Sequence, residues 1–173
     1  MTQSPSRRAA ALRILGGVAL LAGGALWPWQ AAQAQFRVEI AGVGATQIPI
    51  AIGTFRDEAR VPQPVSRIIK ADLERSGLFR ILDASADRLD DSSRPPLPDW
   101  RGKGADALLA GSATPLVDGR FDVRYQLWDV LKGQGSGIVS MVVPAADLRQ
   151  AAHRIADDIY QRLTGDMGVF STR

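Results

Sequence analysis

The sequence predicts an α/β fold, a two-layer structure in which two main amphipathic helices cover one face of a mixed sheet. Two segments, 65–76 and 145–164, repeat apolar residues at helical spacing and are polar on their other sides. Several shorter segments alternate apolar and polar residues or are apolar throughout, which is typical of strands. The predicted order is β-β-α-β-loop-β-β-β-α. Helices that are apolar on one side only are expected to cover one sheet face and to leave the other partly open.

The first predicted elements are two strands and a helix. Apolar and charged residues alternate at 36–40, which indicates a half-exposed strand, and a flexible break follows at 41–44. The apolar run at 48–55 is typical of a strand buried on both faces. A helix is expected to end at about Ser76, because Gly77 stands where a left-handed terminating residue is favoured.

The rest of the chain predicts a short strand, a long loop, an antiparallel meander and a final helix. Residues 83–100 are polar and rich in proline, which predicts a loop that is either mobile or a contact surface. Asp118-Gly119 favours one hairpin turn, and glycines at 133, 135 and 137 favour a second. Gly165 is placed to end the last helix. The strands are predicted at 79–82, 107–114, 121–130 and 138–143.

The N-terminus has the three parts of a secretory signal peptide. A basic region ends at Arg13, an uncharged apolar region covers 14–26, and small residues at Ala32 and Ala34 suit a signal peptidase. We expect residues 1–34 to be removed, so that the exported chain begins at Gln35. A retained membrane anchor is the alternative, but the apolar stretch is shorter than the roughly 20 residues that span a bilayer. Either the general or the twin-arginine export route remains open.

Charge and cysteine content exclude several classes of protein. Three of the 21 basic residues lie within residues 1–34, which hold no acidic residue, so the exported part would have 18 basic and 18 acidic residues. A protein that binds phosphate backbones needs a surplus of basic residues, so nucleic-acid binding is not expected. The chain contains no cysteine. Disulfides and lipid attachment at a cysteine are therefore excluded, and zinc or iron–sulfur sites are not expected.

No group of residues in the sequence predicts catalysis or a cofactor. His153 is the one histidine and lies off the apolar side of the final helix, toward solvent, with Asp157 one turn away. Asp72 falls within the apolar stripe of the first helix and is expected to escape at its margin or to accept backbone N–H bonds. The acidic residues of the long loop could hold calcium loosely, although a solvated loop is favoured; they are Asp87, Asp90, Asp91 and Asp99.

The strand at 36–40 is the feature that suggests a function. Its apolar side chains, Phe36, Val38 and Ile40, lie on one side, and Arg37 and Glu39 lie on the other. Such a strand either belongs to the edge of its own sheet or adds to the open sheet edge of a partner. The residue pattern alone does not distinguish these two possibilities.

Four segments resemble the N-terminal domain of the TolB family, periplasmic components of the Tol-Pal envelope system. They are IPIAIGTF at 48–55, IIKADLERSGLFRILD at 68–83, GADALLAGSATPLVDGRFDVRYQLWD at 104–129, and AHRIADDIYQRLTGDMGVFSTR at 152–173. The combination of ADLERSGLF with LTG and the final FSTR is the most specific part. The resemblance implies a mixed α/β domain over residues 47–165, a periplasmic location, and a protein that is not an enzyme and holds no cofactor.

The resemblance also implies a partner and the residues that bind it. In the family, the extended segment at the start of the exported chain engages the C-terminal domain of TolA, and here that segment is 35–46. The implied binding residues are Gln35, Phe36, Arg37, Val38, Glu39, Ile40, Ala41, Gly42 and Val43. The family continues into a β-propeller that binds the lipoprotein Pal, so residues 166–173 are expected to be a linker toward a propeller that is not among these 173 residues. Pal binding is then expected only if a propeller is supplied elsewhere.

Two other classes of protein remain as alternatives. Strand–helix–strand units of this kind also occur in secretion-channel proteins such as the CsgG-like group, so a periplasmic small-ligand or envelope-assembly module is the first. That group carries a lipidated cysteine, which this chain lacks. A hydrolase that uses His153 is the second, and it requires a carboxylate to orient the histidine.

Overall fold

The computed structural model describes residues 47–84, 87 and 89–172. The predicted signal peptide, with its cleavage residues Ala32 and Ala34, lies outside the described residues, as does the predicted strand at 36–40. Among the described helices, none has both the length and the hydropathy needed to cross a bilayer.

The described residues form one five-stranded mixed sheet with strand order β2-β1-β3-β4-β5. β1 lies parallel to both β2 and β3, whereas β3, β4 and β5 form the predicted antiparallel meander. β2 and β5 are therefore the two edges. The strands are β1 (Ile48–Gly53), β2 (Phe79–Ala84), β3 (Ala107–Pro115), β4 (Phe121–Asp129) and β5 (Gln134–Val143).

Three helices accompany the sheet, and the two longer ones confirm the predicted amphipathic pair. They are α1 (Val65–Arg75), α2 (Leu97–Gly102) and α3 (Leu148–Thr164). A 3₁₀ turn at Ala145–Asp147 precedes α3, so the helix begins a few residues later than the sequence predicts. Gly165 ends α3 with φ of 86°, a left-handed conformation that side chains disfavour.

The main core lies between one face of the sheet and the apolar sides of α1 and α3. β1 supplies isoleucines at alternate positions, α1 supplies Ile69 and Leu73, and α3 supplies Ile155 and Ile159, and all of these side chains are buried. The alternation predicted for β4 is confirmed, because Val123, Tyr125 and Leu127 all face this core. The fold class predicted from the sequence is therefore correct.

A second, smaller core covers the middle of the opposite sheet face, which the sequence predicts as partly open. Trp100 of α2 is buried there with Leu89, Leu97 and Leu108, and Trp128 of β4 completes the layer. The prediction of an unbroken loop at 83–100 is therefore wrong. β2 continues to Ala84, and the proline-rich segment folds back onto the sheet because its large apolar side chains gain burial there.

The turn before β5 is shorter than its three glycines predict. β5 begins at Gln134, so Gly135 and Gly137 lie within the strand. A register shift occurs between Gln126 and Trp128, opposite this part of β5, and Gly137 has φ of 82°. The glycine spacing therefore marks an irregular start to the strand as well as a turn.

Candidate partner-binding site

The predicted binding residues, Gln35 to Val43, lie outside the described residues, so their interaction with a partner stays a prediction. The structure describes the point at which this segment joins the domain. Ile48 is the first residue of β1 and is 3% exposed, whereas the preceding Gln47 is exposed. The segment thus connects directly to the amino end of a central, buried strand.

Two hydrogen bonds fasten this junction to the turn between α1 and β2. The backbone N–H of Ile48 donates to the carbonyl of Leu78 at 2.8 Å, and the Gln47 side-chain amide donates to the carbonyl of Gly77 at 3.2 Å. Gly77 has φ of 76°, as its position after α1 predicts. A chain that leaves from Gln47 therefore has a fixed origin on the domain.

An aromatic cluster lies next to this junction and connects it to the C-terminal tail. The ring of Phe79, which follows Leu78, lies 5.9 Å from the ring of Tyr160 on α3. The Tyr160 ring lies 5.7 Å from that of Phe170 in an edge-to-face arrangement. These contacts are favourable aromatic geometries and place Phe170 against α3.

Asp157, which lies one turn from His153 on α3, holds the C-terminal tail. Its two carboxylate oxygens accept the backbone N–H groups of Phe170 at 2.7 Å and Ser171 at 3.0 Å. Gly168 is required at the same contact, because a Cβ atom there would lie 2.5 Å from Asp157 Oδ1. Residues 166–172 thus return along α3.

His153 and Asp72 form a partly buried pair between the two long helices, which corrects two predictions. His153 Nδ1 lies 2.5 Å from Asp72 Oδ2, and the two side chains are 21% and 2% exposed. His153 therefore does not simply face solvent, and Asp72 does not escape at the margin of the helix. Asp72 Oδ1 also accepts a hydrogen bond from Arg75 Nη1 at 3.1 Å. Spacing along the sequence cannot reveal this pair, because its members are 81 residues apart.

The pair gives His153 an orienting carboxylate, but the remaining part of a hydrolytic triad is not assembled. A cavity of about 290 Å³ lies beside the histidine and is also lined by Arg149, Ser171 and Thr172. The Thr172 hydroxyl donates to the carbonyl of Val169 at 2.6 Å. Within the described part of the chain, no hydroxyl group is hydrogen-bonded to His153. The contact therefore acts as a tie between helices.

A larger cleft of about 560 Å³ lies beyond the carboxyl end of β1. This is where open α/β sheets commonly bind ligands. Arg56 is one of its lining residues, and Arg56 Nη2 donates to the buried Asp91 at 3.2 Å. Asp57 adopts φ of 62°, a conformation uncommon for a residue with a side chain. Thr114 Oγ1 donates a hydrogen bond to the Asp57 carboxylate at 3.2 Å.

The loop carboxylates that the sequence offers as calcium ligands have separate roles. Asp90 accepts hydrogen bonds from Ser92 and Ser93, and the bond from the Ser92 hydroxyl is the main reason that its pKa is lowered. Asp91 pairs with Arg56, and Asp99 lies in α2. Over the described ranges, no three His, Cys, Asp or Glu residues are grouped to hold a metal ion.

Together these features define the class of this molecule: a mixed α/β domain whose first described residues, Gln47 and Ile48, are hydrogen-bonded to the turn between α1 and β2. A family model identifies the particular family. Residues 36–136 match the model of the TolB amino-terminal domain, and the chain belongs to that family. The predicted resemblance is confirmed.

The relatives that this chain resembles are named Tol-Pal system proteins. The chain is 56% identical over 156 residues to the Tol-Pal system protein TolB of Polaromonas naphthalenivorans, covering 90% of this chain and 36% of that protein. It is 47% identical over 163 residues to that of Bordetella pertussis, covering 94% of this chain and 37% of that one. The chain thus spans about a third of the length of these relatives.

A solved structure gives the same assignment. The crystal structure of TolB from Acinetobacter baumannii superposes with a TM-score of 0.59 at 35% identity. The superposition covers 73% of this chain and 30% of that one. The fold seen here is therefore the fold of part of a TolB protein.

Proposed function

We propose that this chain is a non-enzymatic, periplasmic interaction component of the Tol-Pal system that binds the C-terminal domain of TolA through residues 35–43. In this role it contributes to outer-membrane integrity and to invagination of the envelope during cell division. The observation that carries the proposal is the pair of hydrogen bonds at Gln47 and Ile48, which fix the start of β1, the strand that follows the segment in the sequence. The family match, which begins at residue 36, includes all of this segment except Gln35.

Binding would occur by addition of a strand to an open sheet edge of the partner. The backbone groups of 36–40 would supply hydrogen bonds, and Phe36, Val38 and Ile40 would set the register through their apolar side chains. Because the segment leaves from a fixed origin, its bound end would be held close to the domain. Force on the partner would then pass through backbone connections into the central strand β1.

We do not propose that any described residue binds the lipoprotein Pal. The relatives are about two and a half times as long as this chain, so surfaces that lie outside its 173 residues are available to them. Within our proposal, association with Pal requires such additional surfaces.

Titration calorimetry of the exported chain with the purified TolA C-terminal domain tests the proposal. Deletion of residues 35–45 should abolish binding, whereas Arg154→Ala, an exposed substitution on α3, should leave the affinity unchanged. Absence of binding by the intact chain would remove TolA as the partner. Equal affinity of the deletion variant would remove the proposed mechanism.

Proline substitutions test strand addition itself. Neighbouring residues of a strand point their N–H groups to opposite sides, and proline has no N–H group. Val38→Pro and Glu39→Pro should therefore weaken binding unequally, with Val38→Ala and Glu39→Ala as matched controls. Equal effects of the two proline variants would indicate recognition by side chains alone.

N-terminal sequencing of the chain recovered from the periplasmic fraction tests signal cleavage, and it should give Gln35 as the first residue.

A further inference from the structure

The edge strand β5 lacks the features that normally protect a sheet edge. It is 10 residues long and contains neither a charged residue nor a proline. The opposite edge, β2, has 6 residues and carries Arg80 and Asp83. Short length and charged side chains discourage pairing with another chain, and their absence favours it. Within the sheet that the described residues form, β5 is therefore the edge better suited to accept an additional strand.

The part of β5 that can accept a strand has clear limits. Gly137, with its positive φ, ends the irregular start of the strand, and Pro144, which follows Val143, has no N–H group. Residues 138–143 pair without interruption with 121–126 of β4. Ile138 and Val142 are 55% and 45% exposed on the face away from α3. The part of β5 that can accept a strand is therefore 137–143, and Ser140 is its central residue.

We propose that β5 pairs antiparallel with β5 of a second copy of this chain, about a two-fold axis at Ser140. In this register Ile138 lies opposite Val142 of the partner copy, and Val139 lies opposite the partner's Met141. Ile138, Val139, Met141 and Val142 then each meet an apolar side chain on the same face of the sheet, whereas Val143 lies opposite Gly137 of the partner copy. The strand is thus complementary to itself, as a two-fold interface requires.

Charges next to β5 do not oppose this pairing. Asp122 and Arg124, one strand inward, pair with each other at 2.8 Å. Ser140 Oγ donates to Asp122 Oδ1 at 2.9 Å, so the carboxylate next to the axis is satisfied within its own copy. The charged groups of β4 in the two copies would be separated by two edge strands, each spaced about 4.8 Å from its neighbour.

The interface would be small and the dimer therefore reversible. It joins two edges over about seven residues each, which is at the small end of the range for specific contacts. The dimer would form one continuous ten-stranded sheet, with α1 and α3 of both copies on the same face. This inference does not depend on the proposed function, which uses the N-terminal segment.

Cysteine cross-linking tests the axis directly, because the natural chain contains no cysteine. Directly opposed residues of antiparallel strands have Cα atoms about 4.5–5.5 Å apart, which suits a disulfide. Under mild oxidation, Ser140→Cys should form covalent dimers roughly ten times faster than Val117→Cys, because pairing raises the local thiol concentration. Val117 is a suitable control, because it is fully exposed in the turn between β3 and β4. Equal rates would overturn the proposal.

Charge substitutions test the register by sedimentation equilibrium of the exported chain. Ile138→Lys with Val142→Lys places like charges opposite each other and should weaken dimerisation by on the order of tenfold. Ile138→Lys with Val142→Glu places opposite charges together and should restore it. Val117→Lys should have no effect. A monomer in the unmodified chain up to millimolar concentration, or the same affinity for both double variants, would disprove this arrangement.

One further variant separates this dimer from exchange of N-terminal segments between copies. Deletion of residues 35–45 leaves β5 intact, so dimerisation should persist. Loss of the dimer on deletion would assign the contact to the segment and would contradict pairing through β5.

Discussion

Asp72 of α1 and His153 of α3 are joined by a contact of 2.5 Å between Oδ2 and Nδ1, within the interface of the two long helices. The carboxylate of Asp72 is almost completely buried, and Arg75 is its second partner. A buried carboxylate without partners would carry a large desolvation cost. The pair therefore lets a polar residue occupy the apolar side of α1 and fixes α3 beside it.

Replacement of His153 by alanine should destabilise the fold by about 2 kcal/mol, because Arg75 alone then compensates the buried carboxylate. Urea unfolding followed by tryptophan fluorescence measures this change. Arg154→Ala is the matched control, because that side chain is exposed on the same helix. Equal stability of the His153 variant and the natural chain would show that the contact contributes nothing.

Gly168→Ala should release the C-terminal tail from α3. A Cβ atom at this position would lie 2.6 Å from the Cα atom of Asp157, and backbone cannot move aside easily. The variant should lose both hydrogen bonds from the tail to Asp157, with a cost of about 1–3 kcal/mol. Hydrogen exchange at the amides of Phe170 and Ser171 should become faster.

The control for the tail is Gly102→Ala, because a Cβ atom at Gly102 meets no atom within 4 Å. Cleavage by chymotrypsin after Phe170 should accelerate in the Gly168 variant and stay unchanged in this control. Unchanged cleavage in both variants would show that the tail accommodates the added methyl group.

The long regular elements could be predicted from the sequence because local patterns determine them. α1 and α3 repeat apolar residues at helical spacing, and Gly77 and Gly165 both adopt the left-handed conformation expected after a helix. The buried strand β1 follows from its apolar run. These signals lie within a few residues of the elements that they specify.

Features that depend on distant residues could not be predicted. α2 has 6 residues, too few to display helical periodicity, and it is held by burial of Trp100 on a remote part of the sheet. The partner of His153 lies on another helix, while Asp157, its neighbour in sequence, binds the tail. For the candidate site, the sequence predicts the binding residues, but only the structure reveals how Gln47 is anchored.

Glu58→Ala should weaken the start of α1, although this residue attracts no attention in the sequence. Pro64, which precedes the helix, makes no side-chain cap. Glu58 Oε1 accepts the backbone N–H of Ser66 at 2.6 Å, and Oε2 accepts the Ser66 hydroxyl at 2.6 Å and the Phe55 N–H at 3.1 Å. Loss of this buried carboxylate should cost about 2–3 kcal/mol.

Thermal unfolding of the Glu58 variants tests this assignment. Glu58→Gln keeps one acceptor oxygen and should be destabilised less than Glu58→Ala. Glu74→Ala, an exposed substitution on α1, should have little effect. If the alanine variants at 58 and 74 melt at the same temperature, the capping role is refuted.

Asp106→Asn should stabilise the protein at neutral pH and have no such effect in acid. Burial raises the pKa of Asp106 above its ordinary 3.8, with Asp129 adding to the shift and Arg80 opposing it. The folded state therefore holds this proton more tightly than the unfolded state does, so ionisation costs stability above the raised pKa. Below pH 3.8 both states are protonated and the cost disappears. Asp118→Asn should behave in the opposite way, because hydrogen bonds from Arg120 lower the pKa of Asp118. Urea titrations at pH 7 and pH 3 measure the free energy of unfolding of both variants. If Asp106→Asn stabilised the protein equally at the two pH values, burial of the Asp106 charge would not be the cause of the stabilisation.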